Sequence, residues 1–190
     1  GSRIPVTLPE RIYGDQEFLD LFEHYADKKA IYLVTQFNHP RELTDEAIRA
    51  VRALTDRGVA IKNQTVLLRG VNDDPETLSA LFKGLTRCGI APYYIFQCRP
   101  VSGVKDRFQV PLMTSCGIVD AAKTSQNGLG KCLRFAMSHP LGKIEILGLL
   151  PNGEMVFKFH QNKNPEDNAR IFTRRLSPTD TWLDQDLNGI

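Results

Sequence analysis

Two segments of the chain place polar side chains where an α/β protein binds its ligands. Residues 63–73 read NQTVLLRGVND and residues 93–98 read YYIFQC, and each resembles a short apolar strand running into a polar tail. The carboxyl ends of the strands gather the ligand-binding groups of α/β barrels and open parallel sheets. An amide such as Asn63 or Gln64 costs free energy when buried without partners, so it either contacts a ligand or satisfies neighbouring backbone.

The elements that would position these residues alternate between strand and helix. Three successive strand-helix units favour a parallel sheet with right-handed crossovers over a bundle or a sandwich. Thr44 is well placed as an N-cap, and Gly58 follows the end of its helix. The predicted strands are 4–8, 30–37, 59–68 and 91–98, and the predicted helices are 15–25, 43–57 and 74–89. The predicted fold class is therefore α/β, with parallel strands in a barrel or an open sheet; the family resemblance described below implies the former, a partial (βα) barrel.

The pattern changes after Pro100. We expect a loop over 101–110, a helix over 111–125, a turn at 127–130, and a β-hairpin of strands 143–150 and 155–159. The chain is polar from Gln161 onward, which predicts a mobile tail. Three parts result: strand-helix units over 1–126, a glycine-containing loop and hairpin over 127–160, and a tail over 161–190.

Composition excludes several classes of protein. A chain of 190 residues that is 42% hydrophobic and 24% charged is typical of a globular domain. A net charge of +2 without a basic stripe argues against a nucleic-acid partner, and no apolar run approaches a membrane span. The scattered cysteines fit neither a metal motif nor a disulfide scaffold, which favours reduced thiols in a cytoplasmic protein; they are Cys88, Cys98, Cys116 and Cys132.

The order of motifs resembles the lysine 2,3-aminomutase (KamA-like) family of radical S-adenosylmethionine enzymes. The matching motifs are residues 1–12, the Phe-Asn-His-Pro at 37–40, the two segments described above, and Gly142-Lys143-Ile144. The resemblance is dense over 1–108. It implies the C-terminal part of a half or three-quarter barrel, and a 1,2-amino shift on an amino acid that is a small-molecule substrate. The implied cofactors are S-adenosylmethionine, a 4Fe-4S cluster and pyridoxal phosphate.

The cluster of that family needs three neighbouring cysteines, because each thiolate must reach one small cubane. This chain has no Cys-x3-Cys-x2-Cys motif, so no metal ligand is assigned within it. The resemblance places that motif upstream of Gly1. We therefore expect the chain to be a piece of a longer protein and to be inactive by itself.

The resemblance also assigns cofactor contacts. Gln64 takes the position of the family's glutamine that contacts S-adenosylmethionine, and Asn63 lies beside it. Gln36 stands where members of the family commonly have histidine. Arg3 is a candidate partner for anionic cofactor groups, with a surface salt bridge as the alternative. His39, which precedes a proline, is interpreted as a residue that begins a helix rather than as a catalyst.

Lys143 corresponds to the lysine that binds the aldehyde of pyridoxal phosphate in the family, although its glycine loop is shorter here. A solvated lysine at the start of a strand is the alternative. Lysine aminomutases have aspartates near the positions of Arg99 and Ser138. A guanidinium repels an ammonium but pairs with a carboxylate, which predicts a substrate other than lysine, with glutamate the simplest. Arg99 in a structural salt bridge is the alternative.

Other functions stay open at this point. A radical S-adenosylmethionine protein without pyridoxal phosphate would suit the shortened loop before Lys143. A non-enzymatic alternative is a barrel fragment without catalytic activity that another segment completes. The exposed strand edges of such a fragment would favour a homo-oligomer. An unrelated barrel acting on phosphorylated metabolites has little support, because no glycine-rich phosphate loop is visible.

Overall fold

Seven strands form one mixed sheet in the computed structural model, which describes residues 1–190. The strands are β1 (Ile31–Thr35), β2 (Val59–Leu67), β3 (Ile90–Gln97), β4 (Arg134–His139), β5 (Gly142–Leu149), β6 (Glu154–Asn162) and β7 (Ile171–Arg175). They neighbour one another in chain order. The pairs β1–β2 and β3–β4 are parallel, and β4 to β7 are antiparallel. The α/β class is confirmed; the sheet is not closed, and the barrel stays a prediction.

Three helices precede β1, and five connect the strands of the parallel part. They are α1 (Ile4–Thr7), α2 (Glu10–Tyr13), α3 (Gln16–Ala26), α4 (Asp45–Thr55), α5 (Pro75–Arg87), α6 (Lys105–Phe108), α7 (Leu112–Thr124) and α8 (Gly128–Lys131). Thr44 caps α4 as predicted, since its side chain accepts a hydrogen bond from the backbone N–H of Ala47. Gly58, at φ +80°, follows α4 in the left-handed conformation that glycine favours. None of these helices has the length and apolar character that crossing a membrane would need.

The chain divides into two compact units, each made of three segments. The first unit comprises Gly1–Thr65, Glu76–Tyr93 and Gln126–Leu133; the second comprises Val66–Pro75, Tyr94–Ser125 and Arg134–Ile190. Each has its own buried apolar residues, among them Leu54, Ile61 and Phe82 in the first and Ile95, Ile144 and Phe157 in the second. The division of the chain into three parts after residues 126 and 160, expected from the sequence, stays a prediction.

Three local predictions were wrong in the connecting segments. Residues 4–8 form the short helix α1 rather than a strand, because Pro5 lies in the first helical turn, where its missing N–H costs nothing. The predicted loop at 101–110 contains α6. The predicted turn at 127–130 is the single helical turn α8, which begins where the side chain of Asn127 accepts from the N–H of Gly130 at 2.8 Å.

The C-terminal hairpin is confirmed, but it belongs to a larger antiparallel layer. β5 and β6 pair across a turn in which the N–H of Leu150 donates to the carbonyl of Glu154 at 2.8 Å. The prediction of a mobile tail from Gln161 was wrong, because β7 pairs with β6, and Trp182 and Leu183 are buried. β4 was also missed. The sequence of β7 is IFTRR, in which two adjacent apolar residues are followed by polar ones, so only its pairing with β6 identifies it as a strand.

Candidate functional site

The alternation of β5 presents Lys143 on the less buried face of the sheet. Ile144 and Ile146 are buried on one face of the strand, whereas Lys143 and Glu145 lie on the other and are half-buried. Lys143 pairs with Ser138 of β4 in the antiparallel register. The structure therefore brings together two residues that the sequence had nominated for different roles.

Two aromatic rings of β3 hold the amine of Lys143. Its Nζ lies 4.4 Å from the ring centroid of Tyr94 and 5.5 Å from that of Phe96. The two rings stack with centroids 5.1 Å apart. A cation over aromatic faces is attracted to them, so the two rings fix the position of the Lys143 side chain.

A pocket of about 310 Å³ opens beside this amine. Its lining residues are Ser138, His139, Pro140, Gly142, Lys143, Gln161, Asn162 and Lys163. The two lysines make this pocket attractive to an anionic ligand.

A charged cluster lies on the same face of β5 as Lys143. The Oε1 atom of Glu145 lies 3.0 Å from Nε of Arg134 and 3.2 Å from Nδ1 of His160. The His160 ring approaches Tyr94 edge-on, with centroids 6.2 Å apart. Sequence reasoning missed this cluster, although the period of two along β5 already places Glu145 on the face of Lys143.

Arg99 follows β3 and is exposed, and no ion pair of the structure includes its guanidinium. The structural salt bridge proposed as an alternative is therefore not found. Gln97, two residues earlier, is buried instead, and its Nε2 donates to the carbonyl oxygens of Val110 at 2.6 Å and Thr181 at 3.0 Å. The end of β3 thus carries a fixed amide and then an exposed cation.

The other predicted cofactor contacts lie in the first unit. Among them, Arg3 makes a salt bridge, which was the alternative to its cofactor role. Its guanidinium donates to both carboxylate oxygens of Glu42, at 2.9 and 3.1 Å, and to the carbonyl oxygen of Gln36 at 2.8 Å. The side chain of Arg3 remains 37% exposed. Contact of Arg3 or Gln36 with a cofactor stays a prediction.

Asn63 and Gln64 lie on opposite faces of β2. Asn63 is buried; its Oδ1 accepts from the N–H of Phe37 at 2.7 Å and from the Thr35 hydroxyl at 3.1 Å. Its Nδ2 donates to the Phe37 carbonyl and to the Thr65 hydroxyl, each at 3.0 Å. These four bonds use the whole capacity of the amide. A cofactor contact of Asn63, which stays a prediction, would require one of them to break, whereas Gln64 is half-buried on the other face.

His39 has the helix-initiating role inferred from its position before Pro40. Its Nδ1 accepts from the N–H of Arg41 at 3.1 Å, which caps the 3-10 helix Pro40–Glu42. The prediction for this histidine is confirmed.

The cysteines are free thiols in separate surroundings, and no group of three or more His, Cys, Asp or Glu side chains is arranged to hold a metal ion. Burial raises the pKa of Cys88 and of Cys98. Burial, and then the neighbouring carboxylate of Asp120, raise the pKa of Cys116 to about 12. These environments favour the neutral thiol over the thiolate that an iron-sulfur cluster needs.

Comparison with known proteins finds relatives along almost the whole chain. An Aquifex aeolicus protein that is provisionally named as an L-lysine 2,3-aminomutase is 39% identical over 97% of the chain. The L-lysine 2,3-aminomutase of Clostridium subterminale is 38% identical over 67%, and the glutamate 2,3-aminomutase of Clostridioides difficile is 40% identical over 55%. The chain spans 49%, 29% and 24% of these proteins' own lengths. No protein-family model matches it.

Proposed function

Since this chain belongs to the lysine 2,3-aminomutase family, we propose that it is the C-terminal part of a radical S-adenosylmethionine enzyme that shifts an amino group between neighbouring carbons of an amino acid. The observation that carries this proposal is the amine of Lys143, held against two aromatic rings beside a pocket. When bound, pyridoxal phosphate supplies an aldehyde that carries the migrating amino group, and S-adenosylmethionine with a 4Fe-4S cluster supplies the hydrogen-abstracting radical.

The residues around Lys143 fit pyridoxal phosphate. The amine lies at the pocket, over the rings of Tyr94 and Phe96. Lys163 in the same pocket supplies a positive charge for a phosphate. In this proposal Lys143 holds the aldehyde carbon and Ser138, its cross-strand partner, contacts the substrate.

The cysteines of this chain do not fit a 4Fe-4S cluster, because they are not grouped to hold a metal ion, and burial favours the protonated thiol at Cys88, Cys98 and Cys116. We propose that the cluster ligands lie outside the chain, and that Gln64, on the less buried face of β2, contacts S-adenosylmethionine. Gln36 and Arg3 are proposed to support that contact through the hydrogen bond between them.

The cofactor role of Lys143 is tested in the full-length protein loaded with pyridoxal phosphate. We expect the absorbance band of the lysine-bound cofactor in the parent protein and its loss in Lys143→Ala, because Lys143 is the lysine of this pocket whose amine lies over the rings of Tyr94 and Phe96. Lys158→Ala, on β6 of the same sheet, is the matched control and should keep the band. Borohydride reduction followed by peptide mapping should place the cofactor on Lys143.

A band that survives Lys143→Ala would show that another lysine holds the cofactor. Turnover of S-adenosylmethionine without any such band would instead favour the alternative without pyridoxal phosphate. The non-catalytic alternative would follow if the full-length protein neither bound the cofactor nor cleaved S-adenosylmethionine.

We further propose that the substrate carries an acidic side chain, with glutamate the first candidate. Arg99 is exposed beyond β3 and outside every ion pair, so its guanidinium can form a bidentate pair with a carboxylate. The Clostridioides difficile relative acts on glutamate by its name. This supports a glutamate substrate, whereas the other two relatives are named for lysine.

For the substrate we expect the full-length protein to convert glutamate, and Arg99→Ala to lower kcat/KM for glutamate about 10- to 100-fold, as loss of a charge-assisted pair does. Arg87→Ala, in the last turn of α5, serves as a control for loss of one positive charge. Rapid turnover of lysine with glutamate inert would contradict the charge argument.

A further inference from the structure

His139 is a buried histidine that the proposed reaction does not use. It is the last residue of β4 and lies between Ser138 and the segment 140–142 that leads to Lys143. Its Nε2 is 2.9 Å from the carbonyl oxygen of Asp184 and 3.2 Å from that of Leu183. Carbonyl oxygens only accept hydrogen bonds, so Nε2 carries a proton.

The other ring nitrogen of His139 holds the segment before Lys143. The backbone N–H of Leu141 donates to Nδ1 at 3.2 Å, so Nδ1 is unprotonated and the ring is the neutral Nε2–H tautomer. The carbonyl of Leu141 accepts from the N–H of Lys163 at 2.9 Å. Both backbone polar groups of Leu141 are therefore bonded, and its N–H is bonded to the histidine.

The C-terminal segment that accepts the hydrogen bonds of Nε2 is held in place by hydrogen bonds of its own. The carboxylate of Asp184 accepts from the N–H of Asp186 at 2.9 Å and of Asn188 at 2.8 Å, which closes a turn. Trp182 is buried, and its ring faces that of His139 with centroids 6.5 Å apart. The imidazole thus joins a fixed C-terminal turn to the segment that presents Lys143.

We infer that His139 is a positioning residue for Lys143, an inference that deepens the proposed function and rests on it for its catalytic meaning. The bond from Leu141 to Nδ1 orients the peptide two residues before the lysine, and with it the amine over the rings of Tyr94 and Phe96. The bonds from Nε2 anchor the imidazole to the C-terminal segment. The two ring nitrogens therefore have separable tasks.

Two substitutions separate these tasks in the full chain. Asparagine carries a polar atom near the position of Nδ1, so His139→Asn keeps an acceptor for Leu141 and loses the donor to Asp184. His139→Gln carries one near Nε2, so it keeps that donor and loses the acceptor. Both remove the same ring, so each variant controls for the packing loss of the other.

The readout is the position of the Lys143 amine, and it needs no cofactor. After reductive methylation with ¹³C-formaldehyde, the methyl resonances of Lys143 should be shifted by the ring currents of Tyr94 and Phe96. We expect His139→Asn to keep that shift and His139→Gln to move it to the value of an exposed lysine. The same shift in both variants, or its loss in both while the fold persists, would overturn the positioning role.

A measurement on the unsubstituted protein covers the case in which neither variant folds. The ¹⁵N shifts of His139 should report a protonated Nε2 and an unprotonated Nδ1, and the opposite tautomer would overturn the inference. Borohydride trapping of pyridoxal phosphate on Lys143 in both variants then separates the two proposals. A ring-current difference without trapping in any protein would leave His139 as the positioning residue and refute the cofactor role of Lys143.

Discussion

Gly142→Ala is expected to destabilise the second unit by about 3–5 kcal/mol, since it forces a backbone clash as well as an unfavourable φ. Gly142 has φ +151° and begins β5 directly before Lys143. An added Cβ would lie 2.1 Å from the carbonyl oxygen of Gln161 and 2.8 Å from Cα of Asn162. Both are backbone atoms of the paired strand β6, so they can move only if the pairing at the start of β5 is lost.

Denaturant unfolding followed by tryptophan fluorescence measures this effect, because the chain has one tryptophan, Trp182, and it is buried in the second unit. Gly148→Ala is the matched control. Gly148 has φ +156° in the same strand, but nothing lies within 4 Å of its added Cβ. We expect it to cost only about 1–2 kcal/mol from backbone strain. Equal losses in the two variants would refute the clash with β6.

Asn63→Ala is expected to destabilise the first unit by about 2–4 kcal/mol. The substitution leaves the N–H of Phe37 without its acceptor in a fully buried position. It also removes one partner from the carbonyl of Phe37 and from the hydroxyls of Thr35 and Thr65. The Phe37 carbonyl still accepts from Thr65 at 2.9 Å, so the loss is concentrated on one amide.

Far-UV circular dichroism in denaturant measures the effect of Asn63→Ala on the helices and strands of the first unit. Gln64→Ala, on the other face of the same strand, is expected to cost less than about 1 kcal/mol because its side chain is half-buried. A loss from Asn63→Ala no larger than that of Gln64→Ala would show that the amide network is not structural. The Asn-Gln pair would then have to be explained by ligand contacts alone.

The two residues of the predicted cofactor motif Asn63-Gln64 have different surroundings. In Asn63-Gln64, the asparagine ties the end of β1 to β2 through Phe37, and the glutamine is directed to the opposite face. A strand places adjacent side chains on opposite faces, so one dipeptide can serve packing and binding at once. The sequence motif names both residues but does not distinguish their tasks.

The strands β1 to β3 and the helices between them could be predicted from sequence because their signals are local. The helical spacing and Thr44 cap of α4, and the apolar runs of β1, β2 and β3, lie within a few residues of the atoms they organise. The family resemblance likewise needed only ordered short motifs. The position of Arg99 after β3 and the hairpin around residues 150–154 were also evident from local patterns.

The remaining features depend on contacts between residues far apart in the chain. β7 becomes a strand by pairing with β6, and the N-terminal segment bridges to β1 at Ser2, whereas residues 4–8, apolar enough for a strand, do not pair with it. The amine of Lys143 meets the rings of β3 only through the register of β4 with its neighbours, and His139 meets Asp184 across 45 residues. Sequence alone thus determines the longer helices, the strands β1 to β3, β5 and β6, and the chemical groups that are available. Their partners are determined by long-range pairing, because the free energy of burial and of strand hydrogen bonds depends on residues that no local pattern specifies.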